Sequence, residues 1–122
     1  MIKASSLINL LKKNKSNFFT GVPDSVLKEL SHSLKNKTKK NHIIATNEGA
    51  AVSIGIGHYL STKNLPCIYM QNSGLSNALN PLISIAHEKV YSIPLILIIG
   101  WRGSPRVKDE PQHNVKGKIT ES

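Results

Sequence analysis

Apolar residues along this chain come in two kinds of run. Some recur at three- and four-residue spacing among polar neighbours, and others stand in short unbroken blocks. Residues 2–14 carry Ile2, Leu7, Ile8, Leu10 and Leu11 close to helical spacing, which predicts a first helix. NFFTG, residues 17–21, reads as a short strand running into a turn. VPDSVLKELSHSL, residues 22–34, predicts a second helix. Pro23 suits its early turn, Asp24 or Ser25 can cap it, and Val26, Leu27, Leu30 and Leu34 supply an apolar face. After the polar KNKTKKN connection, HIIAT (42–46) predicts a strand and residues 48–62 a helix rich in Ala, Gly and Ile. Gly49, Gly55 and Gly57 are poor helix formers, so that helix is expected to pack very close to a neighbour. LPCIYMQ (65–71) predicts a third strand, NSG (72–74) a turn, and residues 75–87 another apolar helix. IPLILIIG (93–100) is the most apolar strand, and the last 22 residues, with two prolines, read mainly as loop.

Helices alternating with continuous apolar strands imply an α/β fold, a parallel sheet covered by helices on both faces. In such sheets ligands sit beyond the carboxyl ends of the strands. The loops expected there are TGVPD, TNEGA, QNSGLSN and GWRGSP, one after each strand. No internal repeat exists beyond this architectural rhythm.

Composition narrows the class. A chain of 122 residues is enough for one small domain, and 39% hydrophobic residues fit a globular chain with its own core. Cys67 is the only cysteine, so no internal disulfide forms, and a reducing, cytoplasmic setting is the simplest expectation. No apolar run approaches the roughly 20 residues of a membrane span. The start, MIKASSLINLLKKNK, lacks the apolar core and cleavage site of a signal peptide. The net charge is +9, and many lysines fall in the first 40 residues beside Asn and Ser. That pattern reads as a solvated surface rather than a nucleic-acid interface, because no aromatics are interleaved to stack bases. A positive field would still draw in an anionic substrate.

Glu48 is the first candidate for chemistry. It stands between the second strand and the following helix, where the helix dipole alone could account for an acid. The usual capping box wants Ser or Thr three residues earlier, and that position is Ala45. Gly49, Ala50 and Ala51 leave room beside the acid, so cap and catalyst both stand. QNSGLSN (71–77) is a turn opening a helix, able to offer free N–H groups to a ligand or simply to join strand to helix. It is neither a P-loop nor a dinucleotide loop, and Gly55-Ile56-Gly57 is better read as close packing inside a helix. KDEPQH (108–113) could be a lid carrying proton donors, or an ordinary solvated loop. The five histidines lack metal-ligand spacing, and Ser25 and Ser73 have no base beside them. Arg102, Arg106 and Lys108 form a small cationic group suited to phosphonate, sulfonate or carboxylate.

FFTGVPDS (18–25), TNEGAA (46–51), YMQNSGLSNALNPL (69–82), YSIPLILIIGWRG (91–103) and KDEPQH (108–113) stand in that order. Together they resemble the N-terminal part of the phosphonopyruvate decarboxylases, within the thiamine-diphosphate-dependent decarboxylase family. The alpha subunits of sulfopyruvate decarboxylases are similar. The resemblance spans nearly all of residues 18–113 and implies one pyrimidine-binding domain over residues 1–122. It implies that Glu48 hydrogen-bonds the aminopyrimidine ring of thiamine diphosphate and favours its imino tautomer. The thiazolium then serves as electron sink while a 2-oxo acid loses CO2. The expected conversion is phosphonopyruvate to phosphonoacetaldehyde, with sulfopyruvate as the alternative substrate.

By the same resemblance Gly21, Pro23, Asn72, Ser73, Gly74 and Asn77 line the cofactor, and Asp24 sits in the first active-site loop, toward the substrate. Gln112 and His113 match a mobile loop that assists proton transfer. Arg102 and Lys108 are candidates for the anionic substrate tail on charge alone. The family holds the diphosphate and Mg2+ through a Gly-Asp-Gly stretch on another domain, and this chain has none. The expectation is therefore an incomplete pyrimidine domain that needs a diphosphate-binding domain or subunit in a homo- or hetero-oligomer. The rival expectation is a truncated, non-catalytic subunit-binding module.

Overall fold

The computed structural model describes residues 2–120. Its elements are α1 (Ala4–Lys13), β1 (Phe18–Gly21), α2 (Lys28–Lys37), β2 (His42–Ile44), α3 (Glu48–Thr62) and β3 (Pro66–Gln71). A tight turn (Asn72–Gly74), α4 (Leu75–Pro81), a wider helical turn (Leu82–Ala86), β4 (Ile96–Gly100) and α5 (Pro111–Ile119) follow. The strands form one sheet in the order β2-β1-β3-β4, and every pair is parallel.

Strand register sorts the core onto two faces. Phe19 stands beside Cys67, and Cys67 beside Ile96, while Thr20, Ile68 and Leu97 form the next row. Side chains alternate across a strand, so these rows point to opposite sides. Phe19, Cys67 and Tyr69 pack with Ile8 and Leu11 of α1 and Leu30 and Leu34 of α2. Ile68 and Met70 pack with Ala51, Val52 and Ile56 of α3 and Ala78 of α4. Both faces are therefore covered, as the continuous apolar strands predict. Burial pushes the Cys67 thiol up to about 12, so it is inert packing rather than a nucleophile.

Glycine allows the closest of these contacts. A side chain at Gly55 would meet Ile68 Cδ1 at 2.9 Å, so α3 lies tightly on β3 there. Gly57 corrects the expectation of close packing at all three glycines, because among the described residues a Cβ placed there would meet no neighbour across the helix within 4 Å.

Three boundaries differ from the sequence pattern. The second helix begins at Lys28, not near residue 22. Asp24 Oδ1 accepts from the backbone N–H of Val26 and of Leu27, which closes a turn ahead of the helix and leaves Val26 exposed. The fourth strand starts at Ile96. The last segment is not mainly loop, since Pro111–Ile119 forms α5. Pro111 sits in its first turn, where proline is tolerated because that N–H has no helical partner.

Candidate active site

All four strands end on the same side of the sheet, and Glu48 opens α3 there. The preceding Asn47 is the cap: its Oδ1 accepts from Ala50 N at 2.9 Å. Glu48 is thus the first residue inside the helix, and the capping task is already done. Its side chain reaches across to the loop after β3. Asn77 Nδ2 donates to Glu48 Oε2 at 2.9 Å. The other face of the carboxylate lies against Gly74, where an added Cβ would fall on Cγ, Cδ and Oε1 of Glu48. Gly49 is also held close to the Asn77 carbonyl, which lies 2.8 Å from the position a Cβ would take. The structure therefore brings together Glu48 at the start of α3, Gly74 of the turn and Asn77 of α4, and among the described residues Oε1 carries no hydrogen bond.

The neighbouring residues have different duties. Asn72 is buried, and its Nδ2 donates to the Arg102 carbonyl at 3.0 Å and to Thr120 Oγ1 at 2.8 Å. Its Oδ1 accepts from Arg102 N at 3.2 Å. Ser73 Oγ accepts from Gln71 Nε2 at 2.8 Å. Gly21 ends β1 so close to β3 that a side chain would strike the Tyr69 carbonyl and ring. Pro23 is exposed on the loop that follows, and Asp24 is spent on its own turn through Oδ1 while Oδ2 is enclosed without a partner among the described residues.

Arg102 is already paired. Its Nε and Nη2 donate to the two carboxylate oxygens of Asp109 at 2.7 and 2.6 Å, and Nη1 donates to Ser25 Oγ at 3.0 Å. Asp109 also accepts from the backbone N–H of Gly103 and of Glu110. The Arg102 hydrogen bond, ahead of those backbone donors, holds the Asp109 carboxyl well below the usual range. Lys108 is exposed and lines an open cavity of about 440 Å³ with Ser25, Val26, Trp101, Arg102, Val107 and Asp109. Asp109 was not singled out from sequence. The only signal was an acid seven residues after an arginine, across a proline-containing loop.

Because the folded pKa of Asp109 is depressed, this clasp stabilises the fold fully above the ordinary carboxylate pKa of about 4. It loses that contribution as pH falls below about 4 toward the lowered value. Asp109→Asn is therefore expected to lower the melting temperature at neutral pH, with the gap to wild type closing under acid. Thermal melts across pH 2–7 check this.

Gln112 and His113 lie in the first turn of α5 rather than in an open loop. Gln112 Nε2 donates to Glu110, and His113 Nδ1 is enclosed without a partner among the described residues. Gly103, at φ +68°, lies against the His113 backbone, and a Cβ on Gly117 would strike the Gly103 carbonyl. Trp101 Nε1 adds a hydrogen bond to Gly117 O at 3.2 Å. These contacts seat α5 on the exit of β4. His42 and His58 stand away from the site, one opening β2 and the other stacked on Phe18 where β1 begins. Burial, then Lys35, lowers the pKa of His42, and its ring bonds the Tyr69 hydroxyl.

A profile described as "Thiamine pyrophosphate enzyme, N-terminal TPP binding domain" matches residues 1–121. The chain belongs to this family. It is 38% identical over 120 residues to the phosphonopyruvate decarboxylases of Streptomyces hygroscopicus and Streptomyces viridochromogenes, covering 98% of this chain and 29% and 30% of theirs. It is 35% identical over 96 residues to the sulfopyruvate decarboxylase alpha subunit of Methanococcus maripaludis, covering 79% of this chain and 56% of that subunit. An X-ray structure of a Mycobacterium smegmatis protein, assigned as a thiamin diphosphate-dependent enzyme, matches 88% of this chain and 20% of its own. Its TM-score is 0.68 at 17% identity, which supports the fold. The chain thus spans less than a third of the phosphonopyruvate decarboxylases it matches.

This TPP-binding-family domain fits one part of the cofactor. Glu48 lies over Gly74 with Oε2 held by Asn77, so that Oε1 offers a hydrogen-bonding edge suited to a flat ring. Among the described residues no three His, Cys, Asp or Glu side chains are grouped to hold a metal ion. Among the same residues no helix is long and apolar enough to cross a membrane.

Proposed function

We propose that this chain is the pyrimidine-binding part of a thiamine-diphosphate-dependent decarboxylase that converts phosphonopyruvate to phosphonoacetaldehyde and CO2. The observation that carries the reading is Glu48, freed from capping by Asn47, held by Asn77 and laid against Gly74. When bound, thiamine diphosphate supplies the electron sink for the pair left as CO2 departs. Glu48 would hold a proton shared with a ring nitrogen through Oε1, because Oε2 is occupied by Asn77. Gly74 lets the Glu48 side chain lie directly on the turn and Gly49 lets α3 approach the Asn77 carbonyl, which together fix the spacing between α3 and the turn.

The anionic tail of the substrate falls to Lys108 and to the unused N–H groups of Arg102, whose net charge Asp109 cancels. Sulfopyruvate is the second reading, supported by the alpha-subunit relatives. Diphosphate and Mg2+ are assigned to a partner domain or subunit within an oligomer, since no metal-binding cluster stands among the described residues. The single buried thiol suits a reducing cytoplasm.

The test is a decarboxylation assay of the chain mixed with a candidate diphosphate-binding partner, thiamine diphosphate and Mg2+. Turnover is expected in the mixture and not with either component alone, with phosphonopyruvate preferred over sulfopyruvate. Robust turnover by this chain alone would overturn the division of the site.

A further inference from the structure

Resting on Glu48 as the group that meets the cofactor, we propose that Asn72 is a positioning residue: it sets the turn on which Glu48 lies and does not itself touch the cofactor. A side-chain ligand needs a free polar atom, and the side chain of Asn72 has no free donor. Both hydrogens of its Nδ2 are used, on Arg102 O and Thr120 Oγ1, and its Oδ1 accepts from Arg102 N. The residue is only 5% exposed, so little of its surface is left for a cofactor to reach.

What the carboxamide does instead follows from where it stands. The parallel ladder between β3 and β4 ends at Gln71 beside Gly100. One residue further on, the Asn72 side chain takes both the N–H and the C=O of Arg102, as a peptide group would. A side chain thus extends the β3–β4 pairing beyond the last ladder step and pins the start of the Asn72–Gly74 turn. The third bond, to Thr120, ties the same turn to the residue that follows α5. Glu48 packs on Gly74, two residues along the turn, so the height of the turn decides where the carboxylate sits. The strut runs from α5 and β4 through Asn72 to Gly74 and then to Glu48. Misplacing a reacting group by about 1 Å can cost about 10²-fold in rate, which gives such a strut a function beyond stability.

The test uses Asn72→Ser and the milder Thr120→Val, each assembled with the diphosphate-binding partner. Thr120→Val is nearly isosteric and removes only the bond from Asn72 and the one that Thr120 Oγ1 donates to Lys116 O, so it remains informative if Asn72→Ser folds poorly. At saturating cofactor, kcat per folded protein is expected to fall about tenfold for Asn72→Ser and about twofold for Thr120→Val, with the cofactor dissociation constant changed less than about twofold. In the cofactor-free chain, amide exchange at Ser73 and Gly74 should speed up in the same order. A raised dissociation constant with kcat restored at saturation would make Asn72 a ligand and overturn the proposal. Lowered melting temperature with unchanged kcat would overturn it too, leaving Asn72 purely structural. Glu48→Gln run alongside separates the two levels. Full activity there defeats the reading of Glu48, whereas loss there with none in Asn72→Ser defeats only the strut.

Discussion

Glu48→Gln is expected to lower decarboxylation by the assembled enzyme by about 10²- to 10⁴-fold while leaving the fold in place. Glutamine keeps an oxygen to accept from Asn77 Nδ2 and has nearly the same volume, so contact with Gly74 survives. What it lacks is an acidic proton to share with a ring nitrogen. The structural alternative is a helix-start acid, whose interaction with the dipole is worth about 0.3–1 kcal/mol. That role predicts a slightly lower melting temperature and normal turnover. Asn47 already caps α3, so nothing in the fold depends on the acid as a cap. Turnover per folded protein, measured with the melting temperature of the same sample, decides between the two. Full activity would remove Glu48 from the chemistry.

How far the sequence could be read depended on whether the determining interaction was local. α3 runs from Glu48 to Thr62, as its pattern predicts, because its apolar residues and its Asn cap lie within the segment itself. The parallel sheet was equally legible, since strands buried on both faces must be apolar without alternation. α5 was not legible, because its sequence is polar with little periodicity. It is held by contacts from afar, namely Gly103 against Gly117 and the indole of Trp101 on Gly117 O. The start of α2 was misplaced for the opposite reason: Asp24 acts on its own backbone to make a turn where a cap was expected. In the site, Glu48 could be singled out in TNEGA, and the resemblance singled out Gly74 and Asn77 in QNSGLSN. That Asn77 grips Glu48 across the gap between α3 and α4 is a tertiary fact. Arg102 read as a free cation because charge along a chain does not show that Asp109 folds back onto it.

Gly74→Ala is expected to separate stability from activity in the reverse sense of a core mutation. Gly74 has φ −82° and ψ −9°, a conformation alanine adopts without strain. Reducing the freedom of the unfolded chain at such a site stabilises by about 0.4–1 kcal/mol when nothing is in the way. What stands in the way is the side chain of Glu48 from Cγ to Oε1. That chain is held at its tip by one hydrogen bond and can swing aside, so the added methyl is accommodated by moving the carboxylate rather than the backbone. The melting temperature should therefore stay level or shift by only a few degrees. Turnover by the assembled enzyme should fall about 10²-fold, because a displaced carboxylate no longer meets the ring at the right height. The combination is the diagnostic result, measured as melting temperature and kcat on one preparation. Intact kcat in Gly74→Ala would mean that the seat of Glu48 on this turn is packing alone. Reduced kcat with an unperturbed melt would show that this glycine is kept bare for the carboxylate.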